Sequence, residues 1–326
     1  MIILNKQTLQ KARRALQKAS ALHLFDPNVS HIDYGLRIRE SEENRIENEL
    51  TIRVHLRKKL KGDAFKAFAD RYPERVIDPE IIGFPIDIPE ANYRLHYWWG
   101  GPENNFNTRR KLHNVMKGGI SISNELSYGY GTLGGKVIDR QTGEQMILSN
   151  WHVLIGSWFA KPGLTIYQPA QSDGGKSKNT VAVVKRDAMK NGIDAAVAKI
   201  NGIRSIINEQ LEIGPVTGVV SPRLGMNLTK SGRGSDITDG IITGAEGQSA
   251  IYYGGFRRII KNVIHIAQIN ASNQVSAPGD SGSWWLEKDT RRAVGLHFAG
   301  SNNPEYALAI SMPEVLNALD VEIALQ

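Results

Sequence analysis

Three residues in the rear of the chain have the types and order for acyl transfer: Ser281 in "SAPGDSGSWW", His152 in "MILSNWHVL" and Asp194 in "NGIDAAVAKI". A serine hydroxyl attacks a carbonyl near neutral pH only when an imidazole takes its proton. A buried carboxylate then fixes the tautomer of that imidazole and steadies its charged form. Small residues around Ser281 also suit a plain tight turn, so its partners decide the reading. Of the eight histidines, His55 falls on the polar face of a basic strand, and His23, His31, His96 and His113 lie in the front region or linker. His265 sits in an apolar strand as a structural histidine would. His152 ends an apolar run after the small polar Ser149 and Asn150, where a base would emerge from the core. For the acid, Asp194 precedes a small-residue apolar strand. Asp187, with basic neighbours, and Asp173, in the turn-like "QSDGG", remain alternatives.

The elements that must position these residues differ between the two ends of the chain. From "KGGISIS" onward, ten short apolar runs alternate with turns: "GTLGGKVID", "EQMILSN", "LTIYQPA", "VAVVKR", "AAVAKI", "GMNLTKSG", "IIKNVIHIAQI", "GSWWLE", "AVGLHFAG" and "YALAISM". This pattern predicts an antiparallel β barrel or sandwich. It closes with a helix in "PEVLNALDVEI", with Ser311 as cap and Pro313 in the first turn. In front, "LQKARRALQKA" places Leu9, Ala12, Leu16 and Ala19 at helical spacing. "DAFKAFADRY" does the same with Phe65, Phe68 and Tyr72 after Asp63 as cap. "LTIRVHL" alternates with period two, as a half-buried strand does. The expected division is a small basic α/β accessory domain over 1–115 and a β domain over 118–326, with the border inside "GGPENNFNTRRKLHN".

Charge follows the same division. Residues 1–117 hold 21 Lys and Arg against 15 Asp and Glu, which leaves them +6 of the whole chain's +7. The clusters Arg57 to Lys61 and Arg109 to Lys111 lack the interleaved aromatics of a single-strand binder, so nucleic acid is not an expected partner. Without cysteine there are no disulfides and no thiolate metal sites. The first residues lack the pattern of a signal peptide, and no apolar run reaches membrane-spanning length. The expectation is therefore a cytoplasmic protein with no membrane contact.

Together, the His, Asp, Ser order and the "SNWHV", "GDSGS" and "GLHFAG" boxes resemble the chymotrypsin/trypsin-like serine peptidases over residues 118–326. The finer boxes are similar to the NARROW LEAF-like serine proteases of plants and bacteria: "GTLGGKVIDRQTGEQMILSNWHVL", "IYQPAQSDGG", "GIDAAVAKI", "SGRGSDITDGII" and "APGDSGSWW". "ELTIRVHLRKKL" and "IIGFPIDI" match that branch more weakly. The resemblance implies a mainly β fold, a chymotrypsin-like double β-barrel with a C-terminal helix, preceded by a small α/β domain. It implies a serine endopeptidase with His152 as base then acid, Asp194 as its orienter and Ser281 as nucleophile. The backbone N–H groups of Gly279 and Ser281 would form the oxyanion hole, and no cofactor or metal is needed. Its substrate is a polypeptide; an activator or regulatory protein and a homo-oligomer are open as further partners. The competing function is a protease-like scaffold with an occluded or unused site.

The resemblance also implies where a substrate lies. His297 and Ser276 would line the pocket for the side chain before the scissile bond and suit Glu or Gln. Val275 stands where trypsin-type enzymes hold an aspartate. Ala299 and Gly300 would offer a strand edge to an extended peptide. One of Trp284 and Trp285 is expected in the core and the other beside the cleft. Asp280 matches the carboxylate that receives a new N-terminus in secreted members; a bond to nearby backbone or a basic side chain is the simpler expectation here.

Overall fold

The turn-separated runs behind residue 117 fold as strands of two curled sheets, because each short strand buries one face against its own sheet's interior. The computed structural model describes residues 4–39, 45–96, 107–160, 163–270 and 273–325. The chain is mainly β with a C-terminal helix, as expected.

The first sheet has eight strands, in the order Val321–Ile323, Gly135–Asp139, Gln145–Ser149, Ala196–Ile200, Thr180–Asp187, Thr165–Tyr167, Ser121–Asn124 and Gly131–Thr132. Its interior holds Ile122, Leu133, Ile147, Val153, Ile166, Val181 and Ala198, all fully buried. The closing helix runs Met312–Ala318 with Ser311 at its N-cap position and Pro in its first turn. It is shorter than the run "PEVLNALDVEI" suggested. Asp320 takes a left-handed conformation at φ 49°, and Val321–Ile323 then returns as a strand to the first sheet.

The second sheet closes on itself. Asn227–Gly232, Trp284–Glu287, Ala293–Asn302, Glu305–Ser311, Phe256–Ala267 and Asp236–Tyr253 pair in that order, and Asp236–Tyr253 pairs back to Asn227–Gly232. That ring is a six-stranded barrel. Asp236–Tyr253 is 18 residues long and was missed as a strand, because its glycines break the apolar alternation.

The same long strand carries the sheet into the front of the chain. Val29–Arg39 pairs with it antiparallel, Arg45–Leu56 pairs with Val29–Arg39, and Ile86–Asp87 continues the sheet. The border expected at 100–118 lies partly outside the described residues, and the sheet joins residues from both sides of it. The helix Lys6–His23 packs Ala12, Ala15, Leu16 and Ala19 against Ile32, Ile52, Ile242 and Ile264 in one shared core. In the helix Gly62–Arg71, Asp63 lies in the first turn and Lys61 occupies the cap position without a side-chain bond, so the expected Asp63 cap does not form.

The strand "LTIRVHL" is not half solvated. Thr51, Arg53 and His55 are fully buried, because their face meets a polar layer inside the fold. Arg53 pairs with Asp33 through both ends of its guanidinium, Nε to Oδ1 at 2.8 Å and Nη2 to Oδ2. Only a bare backbone fits above that pair: a Cβ on Gly244 would stand 1.8 Å from Asp33 Oδ2. Of the basic clusters, Arg109 is likewise buried, bonded to Glu212 and Asp236.

Candidate active site

The first sheet brings His152 and Asp194 together by register. Ala196 pairs with Ser149 in antiparallel strands, so the two residues before Ala196 run beside those just after Ser149. His152 lies one step past its expected place at a strand end, in the one-turn helix Trp151–Leu154. Its Nδ1 meets Asp194 Oδ2 at 2.5 Å, and its backbone N–H donates to Asp194 Oδ1 at 3.1 Å. Asn150 Nδ2 donates to the Asp194 carbonyl at 2.8 Å, which ties the turn before the acid to the turn before the base. The other two aspartates lie elsewhere: Asp173 pairs with Arg233, and Asp187 accepts from the Met189 N–H.

Tyr253 completes the carboxylate's shell, and the sequence reading missed it. Its hydroxyl donates to Asp194 Oδ2 at 2.8 Å from the far end of the long glycine-rich strand. Burial first, and then the charge of Asp194, push the phenol pKa well above its ordinary value, so Tyr253 stays a neutral donor.

Ser281 sits in the loop before Trp284–Glu287, fully buried, with its hydroxyl donating to the Phe298 carbonyl at 3.1 Å. Gly279 takes φ +102°, and a Cβ there would press on the Tyr130 ring at 2.6 Å, so this turn demands glycine. The loop is held from below by Asp280, whose simpler expectation is met by a residue not anticipated. Asp280 Oδ2 accepts from Lys230 Nζ at 2.6 Å, and its oxygens also take the N–H groups of Gly234, Ser235 and Ala277. Burial alone would raise the Asp280 pKa, but Lys230 first, and with it the Ser235 side chain, hold it well below the carboxylate range. The ammonium of Lys230 is thus the basic partner of Asp280.

The loop's two expected donors converge on one acceptor. The N–H of Gly279 donates to the carbonyl oxygen of His96 at 2.5 Å, and that of Ser281 approaches the same oxygen at 3.4 Å. His96 closes a front segment that runs through the cleft. Arg94 and Leu95 pair antiparallel with Gly300 and Ala299, the edge expected to take a peptide, and the His96 N–H donates to the Phe298 carbonyl at 3.2 Å. The His96 ring meets His297, Nδ1 to Nε2 at 3.2 Å. It covers Gly300 so closely that a Cβ there would be 2.2 Å from Cε1. Nothing in the sequence near His96 distinguished it from a linker histidine.

The pocket's polarity follows from one fixed donor. Trp285 Nε1 can only donate, and it faces His297 Nδ1 at 3.4 Å. Burial first, and then His96 and Lys230, drive the His297 pKa well below its ordinary value, so the ring is neutral. Its one proton therefore sits on Nε2 and points at the occupant. Trp284 packs against Gly134 and Gly135, and Trp285 is just as fully buried in the neighbouring core cluster, so both tryptophans are core residues and the one expected beside the cleft is not there. Ser276 is buried and its N–H lies 3.3 Å from Glu305 Oε1. Its hydroxyl has no hydrogen-bond partner among the described residues, so none joins it to His297.

The chain's only triple of ligand-type side chains among the described residues is His31, Asp33 and His55. Asp33 is committed there to Arg53, which makes the group an ion-pair layer. No described helix is long and apolar enough to cross a membrane.

No protein-family model and no curated protein matches the chain. Among solved structures, Nocardiopsis protease is similar at 15% identity, covering 64% of this chain and 98% of its own, with a TM-score of 0.49. Thermobifida fusca protease A is similar at 14% identity over 64% and 98%, with a TM-score of 0.47. A glutamic-acid-specific serine protease is similar at 18% identity over 64% and 100%, also with a TM-score of 0.47.

Proposed function

We propose that this chain is a serine endopeptidase of the trypsin-like kind, within the NARROW LEAF-like branch its sequence boxes resemble. The observation that carries the reading is the convergence of the Gly279 and Ser281 N–H groups on a single carbonyl oxygen. Two such donors stabilise the charge that a carbonyl oxygen gains during attack, and one of them is typically worth about 3 kcal/mol. In this reading the Ser281 hydroxyl leaves the Phe298 carbonyl and gives its proton to His152. Asp194 holds the imidazole through Nδ1 and Tyr253 holds Asp194. The acyl-enzyme on Ser281 is then hydrolysed by water. Residues 118–326 carry the chemistry, and residues 1–115 serve as the accessory part that supplies the cleft segment.

For specificity, the His297 Nε2 proton favours a side chain with an acceptor at that height. Glu and Gln offer a side-chain oxygen there, and a neutral His offers Nδ1. An aliphatic or basic preference in a peptide library, unchanged in His297→Ala, would remove this part of the reading.

Ser281 lies beneath the segment, so its reactivity is tested on a chain with that segment loosened by Tyr93→Ala and His96→Gly. A fluorophosphonate probe should label Ser281 in that chain and label nothing when Ser281→Ala or His152→Ala is added. A folded, loosened chain that takes no label would overturn the reading and leave an unused protease-like scaffold.

A further inference from the structure

The cleft segment lies as a substrate lies. Residues 94–96 are extended and add to the Ala299–Gly300 edge by main-chain pairing. The His96 N–H bonds Phe298, its side chain fills the pocket below His297, and its carbonyl oxygen takes both loop N–H groups. A carbonyl polarised by these donors at the foot of a reactive serine is in the position of a bond about to be attacked.

The segment is also held there by an anchor built into the core. Tyr93 is 2% exposed, and its hydroxyl bridges His55 Nδ1 at 2.9 Å and His265 Nε2 at 3.0 Å in the polar layer of the front sheet. Ala91 is buried as well. Its N–H donates to the Leu56 carbonyl at 2.9 Å, and its carbonyl accepts from Ser30 Oγ at 2.7 Å. Two residues, Arg94 and Leu95, separate Tyr93 from His96, which fixes the register of the segment. Lys230 bonded to Asp280 leaves the loop already formed, so no prior cut is needed to assemble it.

We infer that the chain is its own first substrate and hydrolyses the peptide bond on the C-terminal side of His96. This rests on the serine-endopeptidase reading above. Ser281 Oγ adds to the His96 carbonyl carbon and its proton passes to His152. The C–N bond breaks, and His152 returns the proton to the departing amine. Water then adds to the His96 ester on Ser281, giving up a proton through His152 to the serine oxygen. The products are a fragment ending in the His96 carboxylate and one beginning with the amine of residue 97.

The test follows full-length protein by intact mass after purification. Wild type should resolve into fragments 1–96 and 97–326, while Ser281→Ala stays whole. Tagged Ser281→Ala mixed with wild type should also remain whole, since the anchor makes the step intramolecular. His96→Gln should still be cut, and His96→Lys should be cut at least ten-fold more slowly. Wild type that stays whole, while the loosened chain labels at Ser281, overturns self-cleavage and leaves the segment as a bound inhibitor of a working hydrolase. Cutting at another bond, or cutting of Ser281→Ala, also overturns it. If the wild type stays whole and the loosened chain takes no label, the endopeptidase reading falls together with it.

Discussion

Among the described residues two buried histidine–aspartate pairs stand out, and their surroundings differ in kind. In the front sheet, His31 Nε2 faces Asp33 at 3.0 Å, but Asp33 also holds Arg53 in a two-point bond. Burial would raise the Asp33 pKa; Arg53 and His31 outweigh it and hold the carboxylate far below its ordinary range. In the candidate site, the donors to Asp194 besides the imidazole, among the described residues, are neutral: the Tyr253 hydroxyl and the His152 N–H. A cation at Asp33 consumes the carboxylate's charge in holding two strands together. Neutral donors at Asp194 orient the carboxylate and leave its charge to stabilise an imidazolium when one forms. The lesson is that the third partner, more than the His–Asp contact, separates a carboxylate spent on an ion pair from one whose charge stays available, as the proposed triad requires.

That contrast breaks most visibly by removing each charge. Asp194→Asn should lower kcat/KM by about 10⁴-fold with little change in fold, because the amide holds the wrong tautomer of His152. Peptide hydrolysis and circular dichroism check the two halves. Asp33→Asn should do the reverse. It leaves Arg53 buried without a counter-charge and should cost about 3–5 kcal/mol in urea unfolding, with kcat/KM of the folded fraction unchanged. Equal effects of both variants on turnover would show that the two pairs are one coupled unit.

A smaller change sharpens the comparison at its key residue. Tyr253→Phe removes one neutral hydrogen bond to a carboxylate, about 1.5–3 kcal/mol. It should lower kcat/KM roughly ten- to hundred-fold and shift the acidic limb of the pH–rate profile. A merely structural tyrosine would leave that limb in place.

The smallest effect is one of pH. His96 has its pKa lowered to about 4, by burial first, with Lys230 and His152 adding to the depression and Asp280 opposing it; His297 faces it across the pocket. The docked ring thus binds fewer protons than a free one of about 6.5. Docking is complete above that value and weakens about ten-fold per unit as pH falls toward 4. Burial depresses His55 and His265 as well, but charging them requires the front sheet itself to open. In Ser281→Ala protein, hydrogen exchange should show residues 94–96 losing protection at a higher pH than residues 52–56. Simultaneous loss would join the segment and the sheet into one cooperative unit.

Much of this was legible in the chain itself, and the misses share a cause. The local patterns around Ser281, His152 and Asp194 were enough to single them out. Period-two runs marked most strands, because alternation reflects one buried face. The 18-residue strand escaped, since Gly244 within it is required by a neighbour, the Asp33–Arg53 pair, whose members lie 211 and 191 residues away in sequence. His55 was assigned to solvent because alternation says which residues share a face, and cannot say that a polar layer covers it.

By itself the sequence determined which residues carry reactive groups and which short segments become strands, because both depend on side-chain chemistry and on neighbours a few positions apart. Only the tertiary structure decided what meets them. Tyr253 reaches Asp194 from 59 residues on, Lys230 reaches Asp280 across 50, and His96 comes to His297 across 201. Contacts across such separations leave no local period in the chain. They exist because the second sheet closes on itself, extends through its long strand into the front of the chain and holds one front segment against the loop and the strand edge.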